Sequence, residues 1–179
     1  MSAKCKIGSS ILELAAGDIT RQDTEAVVNA ANKRLSPGGG VSGAIHRAAG
    51  PELWEECRTL GGCDTGEAKL SRGYNLKAKY VIHTVGPVYS GSAGDSEDLR
   101  DCYKNSLLLA SQNEIKSVSF PSISTGIFGY PVKEASIIAL KTITGFLKEH
   151  PEIELVRMIL FTEGDYGIYK ASLDKILKD

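Results

Sequence analysis

Two glycine-bearing runs hold the residues whose types and spacing could do chemistry. The first is Asn32-Lys33-Arg34-Leu35-Ser36-Pro37-Gly38-Gly39-Gly40-Val41-Ser42-Gly43-Ala44-Ile45, and it leads straight into helical spacing. Glycines let a backbone approach a ligand closely and take up φ > 0. The start of a helix adds free N–H groups and a partial positive charge. That combination suits phosphate, although the same glycines also make a tight loop that binds nothing. The second run is Ser122-Ile123-Ser124-Thr125-Gly126-Ile127-Phe128-Gly129-Tyr130-Pro131. Two such loops at one edge of a sheet could grip a diphosphate from both sides, with backbone donors and few lysines.

Gly38, Gly40 and Gly43 match GxGxxG formally, but the dehydrogenase reading fails. Asn32 to Pro37 separate the glycines from the preceding apolar run, and no acidic residue closes a second strand about twenty residues on, as that fingerprint requires. The GxxxxGK of NTP-hydrolysing loops is absent. Asp18, in Gly17-Asp18-Ile19-Thr20, has two readings. It caps the next turn, or it accepts a hydrogen bond from an adenine amino group. Asn29 is expected to hold a loop by its amide, whereas Asn32, adjoining the glycines, could bond a ribose hydroxyl. His46 and His83 fall inside elements and read as structural. His150, before a proline, reads as solvent-exposed.

These loops need a sheet to hold them. The apolar runs 10–16, 26–31, 79–86, 117–122 and 154–161 read as strands. The spacing Ile45, Ala49, Leu53, Cys57 is helical, and Gly50-Pro51 predicts a kink or two short helices. Leu99, Cys102, Tyr103, Ser106, Leu107 and Ala110 share one face of a further helix. Pro131 suits the first position of the next helix, with Val132, Ala135, Ala139, Ile143 and Phe146 inward. Tyr169, Leu173, Ile176 and Leu177 mark a last one. Alternating strands and helices imply a mostly parallel or mixed sheet covered on both sides. Ligands bind such sheets beyond the carboxyl ends of the strands, so the loops after Ala31, Phe120 and Phe161 are expected to be neighbours.

The whole chain bounds the answer. Its 179 residues suit one domain, 1–179. Lys plus Arg is 21 against 22 Asp plus Glu, for a net charge of −1, so no broad basic face for nucleic acid is expected. No apolar run approaches a membrane span, and the N-terminus reads as a strand, not a secretory signal. Cys5, Cys57, Cys63 and Cys102 are no disulfide framework, which points to reduced cytosol. Cys57 and Cys63 read as buried thiols more naturally than as a zinc site, and no metal is expected.

In order along the chain, Gly17-Asp18-Ile19-Thr20, the run from Val28 to Gly50, the stretch from Gly66 to Pro87 and Pro121 to Pro131 closely resemble the macrodomain family, its MacroD-like branch in particular. The resemblance implies a three-layer α/β/α sandwich around a central mixed, mostly parallel sheet. It implies ADP-ribose as ligand or product, with no cofactor. Asp18 would take the adenine amino group, with Ile19 beside it and Phe161 packed on the ring. Gly39, Gly40, Val41, Ser42, Gly43, Ala44 and Ile45, with Ser124, Thr125, Gly126, Ile127 and Phe128, would hold the diphosphate. Asn32 would contact the distal ribose. That branch removes ADP-ribose from acidic side chains of mono-ADP-ribosylated proteins and deacetylates O-acetyl-ADP-ribose. Its hydrolases commonly carry Asp where this chain has Ser42. A neutral hydroxyl is no general base near pH 7. Either the bound diphosphate activates the water, with Asn32 and Ser42 placing the reacting parts, or the protein is a non-catalytic reader of ADP-ribose.

Overall fold

Successive side chains of a strand point to opposite faces, and the central strands here send them into two separate cores. In the computed structural model, which describes residues 1–179, Val28 and Ile82 enter one apolar cluster while Val27 and Val81 enter the other. The strands are β1 (Ser2–Ile7), β2 (Ser10–Ala16), β3 (Ala26–Ala30), β4 (Ala68–Arg72), β5 (Tyr80–Thr84), β6 (Ser117–Phe120) and β7 (Leu155–Leu160). They form one sheet in the order β1-β2-β7-β6-β3-β5-β4. The inner strands β2, β7, β6, β3 and β5 are parallel, and β1 and β4 run antiparallel at the two edges.

Helices α1 (Gly40–Ala49) and α2 (Pro51–Cys57) cover one face through Ile45, Ala49, Leu53 and Cys57. Helices α3 (Ala93–Gln112), α4 (Val132–Glu149) and α5 (Glu163–Lys178) cover the other through Leu99, Tyr103, Ala139, Ile143 and Tyr169. This is the expected α/β/α sandwich. Gly50, at φ +92, separates α1 from α2, and Pro51 opens α2 where its missing N–H costs nothing. Pro131 lies one position outside its predicted place: it is the residue before α4, and its carbonyl accepts from Ala135 N–H.

One strand was not legible as such, and the N-terminus, read as a strand, holds two. The N-terminal run is a hairpin, β1 turning at Gly8 (φ +62) so that Ile7 pairs Ser10. β4, Ala68-Lys69-Leu70-Ser71-Arg72, is short and charged. Lysines and short strands are common devices for protecting sheet edges, and they mask the apolar signal. No helix is long and apolar enough to cross a membrane.

Candidate functional site

All five parallel strands end at one edge, so their following loops lie side by side in strand order. Gly17 N–H donates to Leu160 O at 2.9 Å, so Asp18 and Phe161 leave β2 and β7 as neighbours. Asp18 Oδ1 accepts from Thr20 N–H (2.9 Å) and Thr20 Oγ1 (2.7 Å), capping a single 3-10 turn, Ile19–Arg21. These bonds hold its carboxyl below the ordinary carboxylate range. The second oxygen has only a loose approach from Arg21 Nε at 3.8 Å and remains open to a donor. Phe161 is 89% exposed, an aromatic ring held in water beside that oxygen's turn. Ile19 is buried in the core under α1 and supports the turn from behind.

The loop after β3 approaches α1 very closely. A Cβ on Gly43 would stand 2.4 Å from Gly38 O, so only glycine fits. Gly40 takes φ +55, and Gly39 and Gly40 have open space above them. The N–H groups of Gly40, Val41 and Ser42 have no acceptor in the chain, while Gly43 N–H bonds Gly39 O at 3.2 Å. Ala44 is half-buried behind them. Ile45 corrects the expected lining: it is wholly buried in the core and has no surface to offer a ligand.

Asn29 and Asn32 correct the sequence reading in a linked way. Asn32 is the residue that holds a loop. Its Oδ1 accepts from Arg34 N–H (3.1 Å), Ser36 N–H (3.0 Å) and Ser36 Oγ (3.3 Å), and its Nδ2 donates to Ser36 O (2.9 Å). One Nδ2 hydrogen is left for a further acceptor. Ser42 Oγ reaches the same Ser36 carbonyl at 3.5 Å, so Asn32 and Ser42 are brought together around Gly38. Asn29 instead sits within β3, registered against His83, and its Nδ2 donates to His83 Nδ1 at 3.1 Å. His83 Nε2 then meets Ser71 Oγ at 2.8 Å and lies 3.5 Å from the buried Cys57 Sγ. Burial pushes the His83 pKa down to about 3, so the ring is neutral and structural as expected. His46 is buried too, and burial lowers its pKa. His150 is not free in solvent: its ring stacks on Phe146 with centroids 3.9 Å apart.

The loop after β6 is shaped from below. Tyr103 Oη accepts from Ile123 N–H (3.1 Å) and approaches Pro121 O (3.4 Å), and Tyr169 Oη bonds Ser122 Oγ (2.7 Å). Ser124 sits at φ +68, rare for a residue with a side chain. It packs so tightly on Gly86 that a Cβ there would meet Ser124 Oγ at 2.2 Å. Gly129 N–H closes a turn on Gly126 O (3.0 Å), and Tyr130 N–H bonds Ser124 O (2.9 Å). The N–H groups of Ser124, Thr125, Gly126, Ile127 and Phe128 have no acceptor in the chain. Sequence spacing did not reveal Tyr103, Tyr169 or Gly86 as supports, because each acts on this loop from a distant element.

Two runs of unpaired donors at one sheet edge, one of them a helix N-terminus, are groups that an anion can satisfy. The family model for the Macro domain matches residues 28–139. The chain belongs to the macrodomain family. It is 54% identical over 162 residues to human "ADP-ribose glycohydrolase MACROD2", a match covering 89% of this macrodomain and 38% of that protein. A macro domain-containing protein of Chlorobaculum tepidum is 53% identical over 157 residues, covering 87% of this chain and 91% of that one. A mutant of the Oceanobacillus iheyensis macrodomain, solved with ADPR, superposes with a TM-score of 0.97 over 100% of both chains at 43% identity. This macrodomain therefore spans well under half the length of its human relative.

Proposed function

We propose that this macrodomain binds ADP-ribose and hydrolyses ADP-ribosyl esters, freeing mono-ADP-ribose from acidic side chains or acetate from O-acetyl-ADP-ribose. The observation that carries the reading is the paired set of unpaired N–H groups, Gly40–Ser42 facing Ser124–Phe128 across adjacent strands. Fixed dipoles of this kind stabilise a diphosphate without reorganising. Asp18 and Phe161, at the β2–β7 end, suit the adenine amino group and ring face. The free Nδ2 hydrogen of Asn32 suits a ribose hydroxyl. The name of the human relative and the ADPR bound to the Oceanobacillus protein support the same ligand. No cofactor enters this reading.

On a protein ester, water attacks ribose C1″, the C1″–O bond breaks, the side-chain carboxylate leaves, and the water's proton passes to a base. On an acetyl ester, water adds to the acyl carbon, the acyl C–O bond breaks, acetate is released, and the ribose oxygen takes up a proton. Residues 32–45 and 122–131 contain no Asp, Glu or His. In this reading the bound diphosphate activates the water, with Asn32 and Ser42 placing ribose and water. The same absence favours a second reading, a reader that binds ADP-ribose without turnover. Single-turnover release of ADP-ribose from a protein mono-ADP-ribosylated on Glu separates the two. With diphosphate activation, Ser42→Ala loses under about tenfold and Asn32→Ala loses more. Ser42→Asp raises the rate if an added carboxylate anchors or deprotonates the water. A thousandfold loss in Ser42→Ala overturns diphosphate activation. No release by the wild type, with ADP-ribose still bound, establishes the reader.

A further inference from the structure

With ADP-ribose placed as proposed, the sheet order points to where the attached group lies. Along the carboxyl edge the loops run from Asp18 after β2, through Phe161 after β7 and Ser124–Phe128 after β6, to Asn32–Ala44 after β3. The next parallel strand is β5, and its loop is residues 85–92. A ligand laid with adenine over β2–β7 and diphosphate between the β6 and β3 loops has its distal ribose at β3. Whatever is esterified to that ribose continues toward the β5 loop.

That loop is pinned from both ends. Asp95, buried in the first turn of α3, accepts from Ser90 N–H (2.7 Å), Ser90 Oγ (2.9 Å), Gly91 N–H (3.0 Å) and Ser92 Oγ (3.3 Å). Tyr89 N–H donates to Phe128 O at 2.8 Å, and the Tyr89 ring lies 4.9 Å from that of Tyr130. A loop tied by this many bonds presents a fixed surface. Its outward residues are nonetheless apolar: Val88 is 63% exposed and Tyr89 37%. Ile127, beside the Phe128 carbonyl that anchors Tyr89, is 97% exposed. Neighbouring apolar side chains held in water on a pinned loop beside a proposed ligand site suit a contact surface.

We propose that Val88 and Tyr89 form a docking ledge for the polypeptide that carries the ADP-ribose, holding the residues that flank the modified acidic side chain. The inference rests on the ADP-ribosyl reading above. An acetyl group offers only two carbons, whereas a polypeptide offers flanking residues, so the ledge favours protein esters over O-acetyl-ADP-ribose. Free ADP-ribose makes no use of it at all.

Val88→Ser removes the apolar surface without disturbing packing, and Val88→Asp adds a charge the substrate must desolvate. The rate on a protein mono-ADP-ribosylated on Glu is compared with that on O-acetyl-ADP-ribose, and free ADP-ribose affinity is titrated in each variant. The ledge predicts that Val88→Ser lowers kcat/KM on the protein about three- to tenfold, through KM, and Val88→Asp more. Acetyl-ester turnover and ADP-ribose affinity stay within about twofold of wild type. An unchanged protein rate, or equal losses on both esters, overturns the ledge while leaving the hydrolase reading intact. If the wild type cleaves neither ester, the hydrolase reading fails and affinities decide. The ledge then requires the modified protein to bind more tightly than free ADP-ribose and Val88→Ser to erase the difference. Equal wild-type affinities overturn it.

Discussion

The two carboxylate oxygens of Asp18 are used differently. Oδ1 is spent on Thr20, and Oδ2 meets only a distant guanidinium at 3.8 Å. The two sequence readings of this residue, cap and ligand acceptor, are therefore compatible. An ionised acceptor makes a strong hydrogen bond, worth about 1.5–3 kcal/mol. Asp18→Ala is expected to weaken ADP-ribose binding by about tenfold or more, and Asp18→Asn by less because the cap survives. Calorimetry on both variants checks this, and an unchanged affinity in Asp18→Ala removes adenine from this end of the site. Asn32 shows the limit of reading single residues. Its adjacency to the glycines was visible, but the four bonds it makes with residues 34 and 36 depend on a turn that no spacing encodes.

Among the elements, the glycine loops and the strands that end in them were legible because buried parallel strands are continuous apolar runs and glycines punctuate them. The edge strand β4 was not, and β1 was not told apart from β2: Lys4, Lys6 and Arg72 are exposed and the half-buried Lys69 donates to Leu60 O, so neither edge strand is an apolar run. Nor was the support from Tyr103 and Tyr169, which reach the β6 loop from α3 and α5. The 2.4 Å that a Cβ on Gly43 would leave to Gly38 O gives a sharp test of how the first loop is held. Overpacking costs about 1–3 kcal/mol, so Gly43→Ala is expected to lower the Tm by several degrees and to displace the loop from its ligand. Gly39→Ala, whose Cβ meets nothing within 4 Å, leaves the Tm unchanged. Thermal melts of the pair that shift equally contradict this packing. The polar link between β3, β4 and β5 carries a pH signature. Folded His83 stays neutral down to about pH 3, while the unfolded chain takes up that proton below the ordinary 6.5. The unfolded state binds more protons throughout that window, so stability falls as pH drops through it, with a limiting slope of about 1.4 kcal/mol per pH unit. Urea unfolding at pH 7, 6 and 5 is expected to show the slope in wild type and a smaller one in His83→Gln. Equal slopes contradict a neutral buried ring.

At the scale of the molecule, the chain is nearly neutral and yet reads as an anion binder. The proposed reading reconciles the two through backbone dipoles collected at one sheet edge, which need no side-chain charge. In the proposed binding mode the loops after β2, β7, β6 and β3 take adenine, diphosphate and ribose in one direction, and the architecture shared with the Oceanobacillus macrodomain follows the full length of the chain. Human MACROD2 is a longer protein, of which the match to this macrodomain covers 38%. The central claim is that the two glycine loops hold the diphosphate of ADP-ribose. Gly126 is exposed, has ordinary φ and has open space where a side chain would go, so Gly126→Glu keeps the fold and places a negative charge against the phosphates. The decisive measurement is a calorimetric titration of ADP-ribose into wild type and Gly126→Glu. The account predicts saturable 1:1 binding in the first and no heat in a folded second. No binding by the wild type, or undiminished binding by Gly126→Glu, contradicts it.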